Sequence, residues 1–180
     1  WIANTMYVVS QSVGFVFDPL YFKRRVDEAA CFRERVQTFI QIYFASLAVV
    51  VIPIILFANE LSHLLFGSKY PNIGPVAAIL LAASYIRVQY PFLAKQLLFK
   101  KKTHWLPITT ITPSLAALVL TPFVVPFGGL TAVSWLVLLA ELTSITAVGL
   151  AVLRYEDLEY PTAASAILIL VVCATAFWAS

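Results

Sequence analysis

Apolar residues run along this chain in blocks rather than in faces. Six blocks are long enough to cross a bilayer, which takes about 20 apolar residues in helical form. They fall at about 1–17, 39–58, 76–99, 105–126, 130–153 and 162–179. Polar residues gather between them, at 18–35, 59–75, 100–104, 127–129 and 154–161. The pattern predicts an all-α, polytopic transmembrane helix bundle in a single domain over 1–180, with about six spans. Pro53, Pro91 and Pro113 lie inside blocks. Membrane helices accept such prolines when neighbours re-satisfy the freed carbonyls, and they often mark bends there.

Charge changes this picture from a set of helices to a topology. The connection 18–35 holds Lys23, Arg24, Arg25, Arg33 and Arg35, and 100–104 holds Lys100, Lys101 and Lys102. By contrast, 59–75 has only Lys69, 127–129 has no cation, and 154–161 has Arg154. Basic loops therefore alternate with poor ones, the order expected if 18–35, 100–104 and 154–161 are cytoplasmic in a multi-pass protein of the cell membrane. In the linker 18–35, cations and anions interleave at helical spacing, as on an amphipathic segment at the interface. It reads either as a solvated connecting helix or as a contact for anionic lipid headgroups.

Composition agrees. The chain is 61% hydrophobic and 12% charged, against about 25% charged for soluble domains, and its mean hydropathy is +0.89. The net charge of +3 resides in loops and does not point to nucleic acid. Cys31 and Cys173 are too few for a disulfide framework, and His63 and His104 have no partner at metal-ligand spacing, so no metal site or cofactor is expected. Trp105, Trp135 and Trp178 sit near block ends, as belt aromatics do. The chain opens at Trp1 inside one apolar run and closes at Ser180 inside another. It therefore reads as part of a longer protein.

The candidate chemistry lies where charge enters the membrane. Arg87 falls near the middle of the block 76–99 and Glu141 near the middle of 130–153. Ionisable groups at that depth cost about 2.5–3.5 kcal/mol or more, so they usually face protein or a watery cavity. Ser84, Arg87, Pro91 and Lys95 share a helical face by spacing, as do Ser134, Glu141 and Ser144. Thr109, Thr110, Thr112 and Ser114 add a polar patch to the block between. Two readings follow. Arg87 and Glu141 form an ion pair that holds two helices together, or the three polar stripes line a shared pathway. In the second, Arg87, with Ser84 and Lys95, meets an anionic headgroup and Glu141 binds a proton or cation. Lys95 also has the option of snorkelling to the interface. No phosphate loop or nucleophile–base arrangement is present, and the loops are too short for a catalytic domain, so the chain does not read as an enzyme.

Three stretches in order carry a resemblance: LFGSKY at 65–70, SYIRVQYPFLAKQLLFKKKT at 84–103, and VPFGGLTAVSW at 125–135. Over roughly 15–153 the chain resembles the C-terminal half of polysaccharide-unit flippases of the O-antigen or teichuronic-acid type. These belong to the multidrug, oligosaccharidyl-lipid and polysaccharide exporter superfamily. The resemblance implies one lobe of a two-lobed bundle of 12 to 14 helices, working by alternating access around a central cavity. It implies a polyprenyl-pyrophosphate-linked glycan as substrate, membrane lipids as surroundings, and a glycan polymerase or assembly proteins as partners. A cationic cavity suits Arg87, whereas Glu141 would be unusual in it. The alternative is a cation-coupled multidrug antiporter of the same fold, with Glu141 as the coupling site.

The charge order makes a direct prediction. A cysteine replacing Ser68 should react with an impermeant maleimide on intact cells, and one replacing Thr103 only after permeabilisation.

Overall fold

The structure is a computed structural model that describes residues 8, 12–13, 29–67, 73–154 and 162–179. Nearly all of the expected span at 1–17, most of the linker 18–35 and nearly all of the loop 154–161 lie outside the described residues. The described part is all-helical, with no strand among the described residues. Five elements follow in order: α1 Ala29–Leu56, α2 Ala58–Phe66, α3 Ile73–Phe99, α4 Trp105–Leu153 and α5 Thr162–Ala179. Three stretches are long and apolar enough to cross a membrane: Arg35–Leu56, Ile73–Leu98 and Trp105–Leu153. Three qualify rather than six. Most of residues 1–17 lie outside the described part, α4 holds two expected spans in one element, and α5, at 18 residues, is about 27 Å long.

α4 cannot be one straight rod. Tyr90 of α3 hydrogen-bonds to Leu106 near the start of α4, and Arg87 pairs with Glu141 far along it. Arg87 and Tyr90 lie one turn apart, whereas 106 and 141 on a straight helix would be about 50 Å apart. The reversal is at Gly129, whose φ of 55° and ψ of −141° are non-helical. The two arms, 105–128 and 130–153, correspond to the expected fourth and fifth spans. The first runs antiparallel to α3 and the second parallel to it.

Two positions close these connections. An L-residue is strained at Gly129, because a positive φ brings Cβ against the backbone. Between α3 and α4, the N–H of Lys102 donates to Leu97 O at 2.9 Å and that of Lys101 to Leu98 O at 3.0 Å. This is a Schellman closure with Lys101 in the left-handed region at φ 57°, where glycine is the usual residue. The turn keeps a third cation at that cost.

The segment 59–75, expected to be an external loop, contains α2. α1 ends after Pro53 at the bend of Phe57, and Leu61 N–H donates to Phe57 O at 2.9 Å to start the new helix. Glu60 sits in its first turn, where the helix dipole favours an acid. α2 packs on the start of α3. Gly74 is required there, because a Cβ would overlap Asn59 Oδ1 and lie 2.9 Å from Asn59 Cα.

α3 is the hub, packing against each of α1, α2, α4 and α5. Its buried face brings Ala78, Ala82 and Ala83 to the contacts, where small side chains allow close helix approach. α1 answers with Val36, Ile40, Phe44, Ala48, Val51 and Ile55, an unbroken stripe at spacings of three and four. Phe44 and Phe92 meet edge-on at 5.3 Å, and the buried Tyr85 hydroxyl donates to Phe44 O at 3.2 Å. The second arm of α4 presents Ser134, Leu138, Ile145, Val148 and Val152 in the same rhythm. Outward positions such as Val49, Leu118 and Leu170 are apolar and exposed, as on helices bathed in hydrocarbon.

The two left-handed positions should respond in opposite directions. Gly129→Ala should lower stability by about 1–3 kcal/mol, whereas Lys101→Gly should raise it by about 1 kcal/mol. Unfolding in mixed micelles would measure both.

Candidate functional site

The candidate site is built on α3 where the two arms of α4 meet it. From residue 73 to residue 97, Arg87 alone is exposed; every other position of that stretch is buried or half-buried. The opening lies on the face of Ser84, Arg87 and Pro91. Pro91 has no N–H, so the carbonyl of Arg87 loses its helical partner. That is one more polar group at the same depth.

Arg87 and Glu141 come together. Arg87 Nη1 lies 3.8 Å from Glu141 Oε1, with side chains 60% and 21% exposed. Fold-back at Gly129 sets this register, since it returns the second arm alongside α3. The pair is unequal. The carboxylate is tucked toward α3 on the packed face of its arm, and the guanidinium is open. A mid-span guanidinium facing lipid would cost about 2.5–3.5 kcal/mol or more. The face around Arg87 therefore adjoins water or further protein.

The other expected residues separate into groups. Ser84 is half-buried beside Arg87, its hydroxyl donating to Leu80 O at 2.8 Å. Lys95 shares the Ser84–Arg87 face by spacing, but it is buried, its ammonium 4.8 Å from the Phe92 ring centroid. Neither reaching for the interface nor lying open beside Arg87 describes that placement. Ser134 and Ser144 are buried and turn back on their own helix, donating to Leu130 O and Ala140 O at 2.9 Å each. Such back-bonding consumes the hydroxyl hydrogen locally. They flank Glu141 on the packed face of the arm.

The threonine patch divides as well. Thr109 is buried and Thr110 exposed, and both reach α3 through Tyr90. The Tyr90 hydroxyl donates to Leu106 O at 3.1 Å and accepts from Thr110 at 2.7 Å, with Thr109 Oγ1 also 3.1 Å away. Thr112 and Ser114 are exposed. Ser114 is bonded back to Thr110 O at 2.8 Å. The chain thus uses Tyr90, one turn from Arg87, to tie the first arm, and Arg87 to meet the second.

Two polar residues of this region escape a search for charge: Tyr90 and the fully buried Gln89. Their signal was available in the run Arg87–Val88–Gln89–Tyr90–Pro91, four polar or backbone-disrupting residues in five at mid-span. No group of three or more His, Cys, Asp or Glu side chains able to hold a metal occurs among the described residues.

The asymmetry of the pair predicts unequal mutant effects. Arg87→Gln leaves the more enclosed carboxylate without its cation and should destabilise more than Glu141→Gln. A double-mutant cycle should give a coupling of only about 0.5–1 kcal/mol, read from unfolding in bicelles. No family model, curated protein or solved structure matches this chain.

Proposed function

We propose that this chain is a lobe of a multi-pass carrier that moves lipid-linked oligosaccharide units across the cell membrane by alternating access. In this reading Arg87 meets the pyrophosphate of the polyprenyl-linked substrate. The observation that carries the reading is the 60% exposure of Arg87 at mid-span, in a stretch, 73–97, that is otherwise covered. A cation held open at that depth attracts an anionic headgroup, and the guanidinium fork matches phosphate geometry. The Lys100–Lys102 turn lies on the cytoplasmic side, with 18–35 and 154–161. Ser84 is the nearest neutral group on the same face. Thr109, Thr110, Ser134 and Ser144 serve the helix contacts around it. Lys95 sets the local positive potential from within the bundle. A glycan polymerase or assembly proteins would receive the product.

A second reading keeps the carrier and changes the cargo. Glu141 lies within reach of a cation that would compete with Arg87 for its carboxylate, as a cation-coupled multidrug antiporter requires. The greater openness of Arg87 favours the anionic cargo.

The test is complementation in a host deleted for the gene. Arg87→Ala should abolish surface glycan and trap lipid-linked units on the cytoplasmic face, while the protein remains inserted at normal abundance. Normal surface glycan in that variant would remove Arg87 from substrate contact. Unchanged glycan in the deletion itself, with new drug sensitivity, would move the reading to the antiporter.

A further inference from the structure

α5 and the second arm of α4 run antiparallel along α3, yet they do not pack along their length. At the end far from the Lys100–Lys102 turn they meet through Trp135 and Phe177, whose rings stand edge-on at 6.1 Å. At the other end they part. The gap is a cleft of about 340 Å³. Gln89 and Leu93 of α3 form its floor, Ile145, Gly149 and Leu153 one wall, and Ser165 of α5 a side of the other. Gly149 widens it, since a Cβ built there would meet nothing within 4 Å.

Three features identify what fits. The cleft runs from the middle of α3 toward the lysine turn and opens sideways, so in a bilayer its mouth faces hydrocarbon. None of its lining residues among the described residues is charged, which suits an apolar occupant. The space lies at the lower end of the range for small-ligand sites, about 300–1,000 Å³.

We propose that this cleft is a binding site for one acyl chain of a membrane phospholipid, entering from the leaflet that contacts the Lys100–Lys102 turn. The chain lies against Leu93, Ile145 and Leu153 and occupies the space that Gly149 leaves. This site is separate from the Arg87 face and does not depend on what the protein carries.

The probe is phosphatidylcholine with a diazirine midway along one acyl chain, reconstituted with the protein in nanodiscs and photolysed. Peptide mapping should place adducts preferentially at 145–153 and 165–169, above the exposed apolar positions Leu118 and Leu170. Gly149→Phe points its ring into open space and should cut cleft labelling about tenfold, with labelling at Leu118 unchanged. Gly149→Ala should retain it. Because the wild-type distribution is informative alone, the proposal survives a poorly folding Gly149→Phe variant. Labelling spread evenly over all apolar faces would overturn it, and so would protein–protein adducts at the cleft in place of lipid adducts.

Discussion

Hydrocarbon gives helices no solvent-driven reason to associate, because lipid tails are as apolar as the side chains they would replace. Association must come from close packing and from polar groups with nowhere else to go. In this bundle both are concentrated on α3. Its alanines let neighbours approach, and its tyrosines bond outward, Tyr85 to α1 and Tyr90 to the first arm of α4. Arg87 reaches the second arm. Because α4 packs chiefly on α3, the position of both its arms depends on those contacts and on one glycine. Pro91 loosens the α3 backbone at the level where these side chains act, so the hub is most polar where it is least regular.

The same constraint separates polar groups that are enclosed or locally satisfied from the one that stays open. Ser134 and Ser144 spend their hydrogens on their own helix, and Thr109 sits buried against the Tyr90 hydroxyl. Such groups are silenced by local satisfaction. Lys95 is enclosed over an aromatic ring. Arg87 is different, since more than half of its side chain stays open although Glu141 lies 3.8 Å away. A pair serving mainly as glue would close both partners from solvent.

Much of this was legible in the sequence, and the failures have physical causes. Block lengths gave the extents of α3 and of the two α4 arms within a few residues, because hydrophobic thickness fixes span length. The apolar stripe of α1 follows directly from spacing, and Arg87 and Glu141 stand out because mid-span charge is costly. Their contact was not legible, since it depends on the register at which Gly129 returns the second arm. Asn59, Glu60, Ser62 and His63 make α2 polar and so predict a loop, although polar residues also suit a short helix at an interface. Lys95 was placed with Arg87 by angle alone. The tight lysine turn brings the first arm back over this end of α3, so a face open at Arg87 is closed a few residues on. Periodicity gives direction around one helix and says nothing of which neighbour covers each level.

The second arm of α4 carries the strongest consequence of this arrangement. Glu141 and Ile145 are one turn apart on it, the first meeting Arg87 and the second lining the cleft against α5. The end far from the Lys100–Lys102 turn is held to α5 through Trp135 and Phe177, while the other end stands away from α5 across about 340 Å³. An arm clasped at one end and separated at the other is supported by α5 over only part of its length. One helix, with a turn between them, thus carries both a wall of the apolar cleft and the carboxylate of the charged pair.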